Sequence, residues 1–175
     1  MTEQSNRKSQ ETRPEPWLCG THGEVPAVPR AVLHALELAS EDLQKWCGRL
    51  TDEQLNARPA RLASVAFHLR HIAGSVDRLL SYAENRPLSE EQLSFLRNEL
   101  EGGVTVSDAF RLLQQTFAAA TSRICTCGTQ NLEDPRTVGK RQLATTLGGL
   151  LVHIADHTQR HVGQAIVTAR IVSAS

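Results

Sequence analysis

The stretch His153-Ile154-Ala155-Asp156-His157-Thr158-Gln159-Arg160-His161-Val162-Gly163-Gln164 decides how the rest of the chain is read. His157 and His161 are four residues apart, so on a helix they stand one turn above the other on the same face. Two imidazoles at that spacing can share one metal ion. On a helical wheel centred on His161, Leu143, Leu147, Leu150, Ile154, Ala165 and Thr168 fall within about 40°, and His157 lies about 40° to one side. Both rings therefore lie on the stripe that turns toward a core, where an imidazole needs a partner. A hydrogen-bonded pair of core histidines has the same pattern, so the functional reading needs a third ligand from elsewhere.

Working outward, the periodicity extends this helix from about Lys140 to Val172. Ahead of it, Phe110, Leu113, Phe117, Ala120 and Ile124 form the stripe of a helix capped by Thr105 or Ser107 and ending near Cys127-Gly128. Ser89-Glu90-Glu91-Gln92 has the capping-box pattern and opens a short helix to about Leu100. Ser64 caps a long helix to about Asn85, with Val65, Leu69, Ile72, Val76, Leu79 and Ala83 as its apolar stripe. Thr51-Asp52-Glu53-Gln54 is a second capping box, opening one turn that stops near Pro59. The first long helix runs from about Pro29 to Arg49, with Val32, Ala35, Leu36, Ala39, Leu43, Trp46 and Leu50 inward and His34 on the solvent side. No segment sustains the period-two alternation of a strand. Four long amphipathic helices with short ones between them predict an all-α four-helix bundle, an architecture that builds metal sites from side chains on facing helices.

The chain has 175 residues and a formal net charge of zero, with a pI near 7.1. It is long enough for one domain with a sizeable core. The charge balance gives no electrostatic footprint for nucleic acid, and no apolar run is long enough to span a membrane. Residues 1–27 read as a disordered or extended tail, polar at first and then proline-rich, and 28–175 as the bundle domain. Cys19, Cys47, Cys125 and Cys127 form neither a zinc knuckle nor a disulfide framework, which fits a cytoplasmic protein. Cys19 and His22 form a C-x-x-H without a second half, and they read as loop.

The third ligand is sought on the second long helix, which carries His68 and His71. His68 projects about 60° from the centre of its stripe and His71 about 120° on the same side, so geometry alone favours His68. Here the residues themselves resemble a family. Phe67-His68-Leu69-Arg70-His71-Ile72-Ala73-Gly74-Ser75 is similar to the aromatic-x-x-x-His-[Ile/Leu]-Ala signature of the DinB-like four-helix-bundle proteins. His157-x-x-x-His161-x-Gly163-Gln164 resembles that family's HxxxHxGQ. The resemblance spans about residues 28–172, and Phe67 stands where a tryptophan is common.

It implies an up-down-down-up bundle, often dimeric, in which His71, His157 and His161 bind a divalent metal, zinc or nickel. His68, Phe67, His153 and Gln164 then become neighbours of the centre or pocket residues, with Gln164, Asp156 or a backbone carbonyl holding the far ring nitrogens. Gly163 is expected to let a neighbouring helix approach. Arg70, Arg78 and Arg160 are either solvated charges or contacts for an anionic substrate. Three histidines leave ligand positions open, as in catalytic rather than structural sites. The resemblance implies a metal-dependent enzyme for a small-molecule substrate, a thiol-cofactor S-transferase using a low-molecular-weight thiol, or a hydrolase. The alternative is a non-catalytic, stress-associated metal-binding homodimer. Leu38, apolar on the outward side of the first helix, agrees with a homodimer.

Overall fold

The computed structural model describes residues 14–174. The first part of the expected tail, residues 1–13, lies outside them. Every long helix starts at a residue whose side chain or ring suits the orphan donors of a first turn. Helix α1 (Ala27–Cys47) has Pro29 in its first turn. Thr51 and Gln54 close a capping box on α2 (Asp52–Asn56). Ser64 Oγ accepts from the Phe67 amide at 3.1 Å and opens α3 (Val65–Ala83). Ser89 and Gln92 close the second capping box, on α4 (Glu90–Arg97), and Thr105 caps α5 (Val106–Gly128). The last helix, α6 (Leu147–Ser173), begins at Thr146, whose hydroxyl accepts from Gly149.

Helix α1 packs on α6 and α5, and α3 packs on the same two. Cross-contacts fix the directions. Gln159 donates to the Ala35 carbonyl at 2.7 Å and Arg170 lies over Trp46, so α6 runs parallel to α1. His68 meets His161, and Thr168 donates to the Ala63 carbonyl, so α3 runs against α6. Pro29 covers Gly128, which sets α5 antiparallel to α1. The bundle is thus up-down-down-up, and α4 lies on the crossover joining the two descending helices. Among the described residues, no helix is long and apolar enough to cross a membrane.

Helices α3 and α6 pack along a seam, and Leu69 and Ile72 of the one and Leu151 and Ile154 of the other are without solvent exposure. Truncating Ile154 to alanine leaves a cavity the close-packed seam cannot fill. Urea denaturation should show a loss of about 2–5 kcal/mol. A loss under about 1 kcal/mol would mean that the seam is not where the bundle is held.

Four expectations are corrected. A hairpin, β1 (Pro135–Val138) paired antiparallel with β2 (Leu143–Thr146), occupies the stretch read as the start of the last helix. Leu143 is accordingly 56% exposed rather than inward. Four-residue strands are too short to display an alternation, but the hairpin has a clear job. Arg136 is buried and donates to the Ala83 carbonyl at 2.7 Å, placing a cation at the carboxyl end of α3, where the helix dipole favours one.

His34 is buried rather than solvated, its Nε2 3.0 Å from Thr21 Oγ1. The segment before α1 folds back instead of extending. It forms a 3₁₀ turn at Pro16–Leu18, and His22 pairs with Glu37 at 2.7 Å. Trp46 lies at the surface, 38% exposed, with Lys45 and Arg170 over its ring. Cation–π contact is a stable alternative to burial for an indole.

Candidate metal centre

The Ser64 cap sets the phase of α3 so that His71, Ser75 and Arg78 fall on one ridge facing α6 and the crossover, with His68 one turn earlier. From α6 come His157 and His161. The structure brings His71, His157 and His161 together, with one ring nitrogen of each within 4.8 Å of the others. His71 Nε2 and His157 Nε2 are 3.4 Å apart. Two nitrogens each about 2.0–2.1 Å from one tetrahedral ion stand about 3.3–3.4 Å apart, so this edge has the spacing of a shared ligand set. Imidazole nitrogen suits zinc, copper, iron and nickel alike, and the donor set fits a divalent ion of that kind.

Neighbouring groups fix the rings. Phe67 stacks on His71 with ring centroids 5.2 Å apart and planes 20° apart, and presents its edge to His68 and His161. Glu99 Oε2 lies 2.7 Å from His71 Nδ1, while Glu99 Oε1 accepts from Arg78 Nη1 at 2.6 Å. Ser75 accepts from Arg78 Nη2 and is 3.3 Å from His71 Nε2. His68 Nδ1 lies 3.1 Å from His161 Nδ1, which leaves the Nε2 of His161 for a ligand role. His68 is buried, as its wheel position implied, but it stands behind His161 rather than among the three.

Burial pulls the pKa of His68 down to about 4, helped by the nearby rings of His161 and His71. Burial and the neighbouring imidazoles lower His157 and His161 to about 4 as well, with Arg160 adding to both. At neutral pH these rings are uncharged and offer lone pairs, the state a metal requires. The unfolded chain takes up protons on them near pH 6.5, whereas the folded chain does so only near pH 4. Their contribution is therefore complete above pH 6.5 and is lost as the pH falls toward 4. Thermal unfolding of the metal-free protein should show a melting temperature that falls over this window. A flat or rising profile would contradict the assignment.

The remaining expected residues fall elsewhere. His153 is exposed and paired with Asp156 at 2.9 Å, its ring 5.3 Å from that of His157. Asp156 also pairs with Arg160 and holds neither His157 nor His161. Gln164 is exposed and holds no histidine; it lines a groove of about 440 Å³ beside His68, with Leu62, Arg160, Gly163, Val167 and Thr168. Gly163 borders this open space, and a Cβ there would meet nothing within 4 Å, so it is not a helix-contact glycine. Arg70 donates to the Glu101 carbonyl. Arg78 is buried in its ion pair and is not available to an anionic substrate.

All four cysteines are free. Burial pushes the Cys47 thiol up to about 12 and also raises Cys127, so neither is a nucleophile at neutral pH. Among the described residues the three-histidine group is the one cluster with metal-ligand geometry, and Cys19 and His22 belong to none.

Sequence reading missed Glu99 and Gly74. Ser75 and Arg78 sit at i+4 and i+7 from His71, so a polar ridge ending in arginine was visible. The carboxylate it serves is 28 residues from His71 and has no local signal. Gly74 makes the approach possible: a Cβ there would lie 2.6 Å from Glu99 Oε1 and 2.7 Å from Phe95 Cε1.

An up-down-down-up bundle with three histidines meeting at the seam of two long helices defines a class of helical proteins with an open, histidine-rich centre. The chain belongs to the DinB superfamily, whose family model matches residues 35–165. A crystal structure of a conserved protein from Enterococcus faecalis shares the fold. It is 22% identical, with a TM-score of 0.60 over 86% of this chain and 99% of that one. No curated protein matches.

Proposed function

We propose that the protein binds a divalent metal ion, zinc or nickel, through His71, His157 and His161 and works as a metal-dependent transferase of a low-molecular-weight thiol. The observation that supports this is the convergence of three imidazoles with, among the described residues, no fourth protein ligand, near a groove of about 440 Å³ that His68 lines. A bound ion would lower the pKa of a thiol or water at its open position. The protein's part is to hold the reactants. Leu62 and Val167 offer an apolar wall, 42% and 56% exposed, while Arg160 and Gln164 offer polar contacts on the same groove. Glu99 is committed to His71 and Arg78, so among the described residues it is not free to serve as a base at the centre. A thiol, far more acidic than water, needs less help to ionise, which favours a thiolate over a water that a general base would have to activate.

Metal analysis of the purified protein, followed by a panel of thiols against an electrophilic dye, tests the proposal. Dye consumption should depend on the thiol, stop on chelation and return with zinc or nickel. Bound metal with flat rates for every thiol would reject the transferase and leave a non-catalytic metal-binding protein.

A further inference from the structure

We infer that Glu99 is the positioning residue of the centre: it holds Nδ1–H of His71 and so turns the Nε2 lone pair toward His157 and His161. The inference rests on the metal reading above for its affinity readout and is independent of it for the second readout below. An ionised carboxylate only accepts hydrogen bonds, so at 2.7 Å the Nδ1 of His71 must carry the proton. In the neutral ring the lone pair then belongs to the opposite nitrogen, and it is that atom which lies 3.4 Å from His157 Nε2.

Glu99 is built in to do this. It is 3% exposed, and carboxylates are almost never buried unless paired. Arg78 provides the counter-charge on Oε1, yet that pair needs only one of the two oxygens, and the other is aimed at the ring. The crossover that carries Glu99 is tied to α3 on both sides. Gln92 donates to Asp77 at 2.6 Å and to Ser81 at 2.9 Å, and Arg70 donates to the Glu101 carbonyl at 2.8 Å. Gly74 provides the gap into which the carboxylate fits. Outer partners of this kind set the tautomer and orientation of ligating histidines, and their loss weakens metal binding about 10- to 100-fold.

Two variants separate positioning from plain structure. Glu99→Gln weakens the acceptor while keeping its shape. Because it leaves Arg78 beside a neutral amide and can destabilise the fold, Arg78→Met/Glu99→Met replaces the whole buried pair by apolar chains, an exchange that is often neutral or stabilising. Two quantities are read for each: the zinc Kd by chelator competition, and the His71 tautomer in the metal-free protein from its ring ¹⁵N shifts. In the double variant, the expected result is a Kd about 10- to 100-fold higher, together with appearance of the Nε2–H tautomer of His71, which is absent from the wild type. A merely structural ion pair would move the melting temperature and neither readout. An unchanged Kd, or a raised Kd with an unchanged tautomer, overturns the inference. Should the wild type bind neither zinc nor nickel, the metal reading fails, and the tautomer alone then decides: a shift upholds Glu99 as the group that orients His71, and none overturns it.

Discussion

Replacing His157 with alanine is expected to raise the zinc Kd by more than about 100-fold, beyond what the loss of an outer partner costs. His157 Nε2 forms the short 3.4 Å edge with His71, and its removal leaves two donors where three converged. An ion held by two imidazoles must fill the remaining positions with water, so the entropic advantage of a ready-made site largely goes. The fold should tolerate the change. His157 is half-buried on α6, and its ring lies close to those of His71, His153 and His161. Chelator competition and thermal unfolding of the metal-free protein read the two effects separately. A Kd within a few-fold of wild type would remove His157 from the ligand set.

The second large effect belongs to a glycine. Gly74→Ala should destabilise the protein by about 1–3 kcal/mol, as overpacking of a tight site does. For a domain of this size that is a fall in melting temperature on the order of 5 °C. The new methyl would sit 2.6 Å from Glu99 Oε1, 2.7 Å from Arg78 Nη1 and 2.7 Å from Phe95 Cε1, and these groups are pinned to one another. Gly163→Ala is the matched control on α6, the other helix that brings histidines to the centre. Its methyl meets nothing, so only helix propensity acts, favouring the variant by up to about 1 kcal/mol. Equal effects from the two substitutions would show that the crossover does not close on α3 as described.

The elements most legible in the sequence were those decided within a few residues. Thr51 with Gln54 and Ser89 with Gln92 satisfy their own helix starts, and the structure has both capping boxes in full. The apolar stripe of α5 is buried at Phe110, Leu113, Phe117, Ala120 and Ile124, as its period required. The spacing of His157 and His161 put both rings on one face, while the choice between His68 and His71 exceeded what a wheel can settle. A wheel ranks residues by distance from one core stripe, whereas α3 is approached by α6 and the crossover from different sides. His68 therefore ends up buried behind His161, and His71 stands at the seam itself.

What the chain alone determined was the set of long helices, the caps of α2 to α5, most of the inward faces and the pairing of two histidines one turn apart. Hydrogen bonds to the next turn and a 3.6-residue period are properties of neighbours, and any short stretch displays them. Tertiary structure decided the burial of His34 beneath the folded-back lead-in, the gap at Gly74, the open groove at Gly163 and the arrival of Glu99 at His71. Each depends on segments distant along the chain meeting in space, a meeting fixed by how whole helices pack rather than by any one residue's preference.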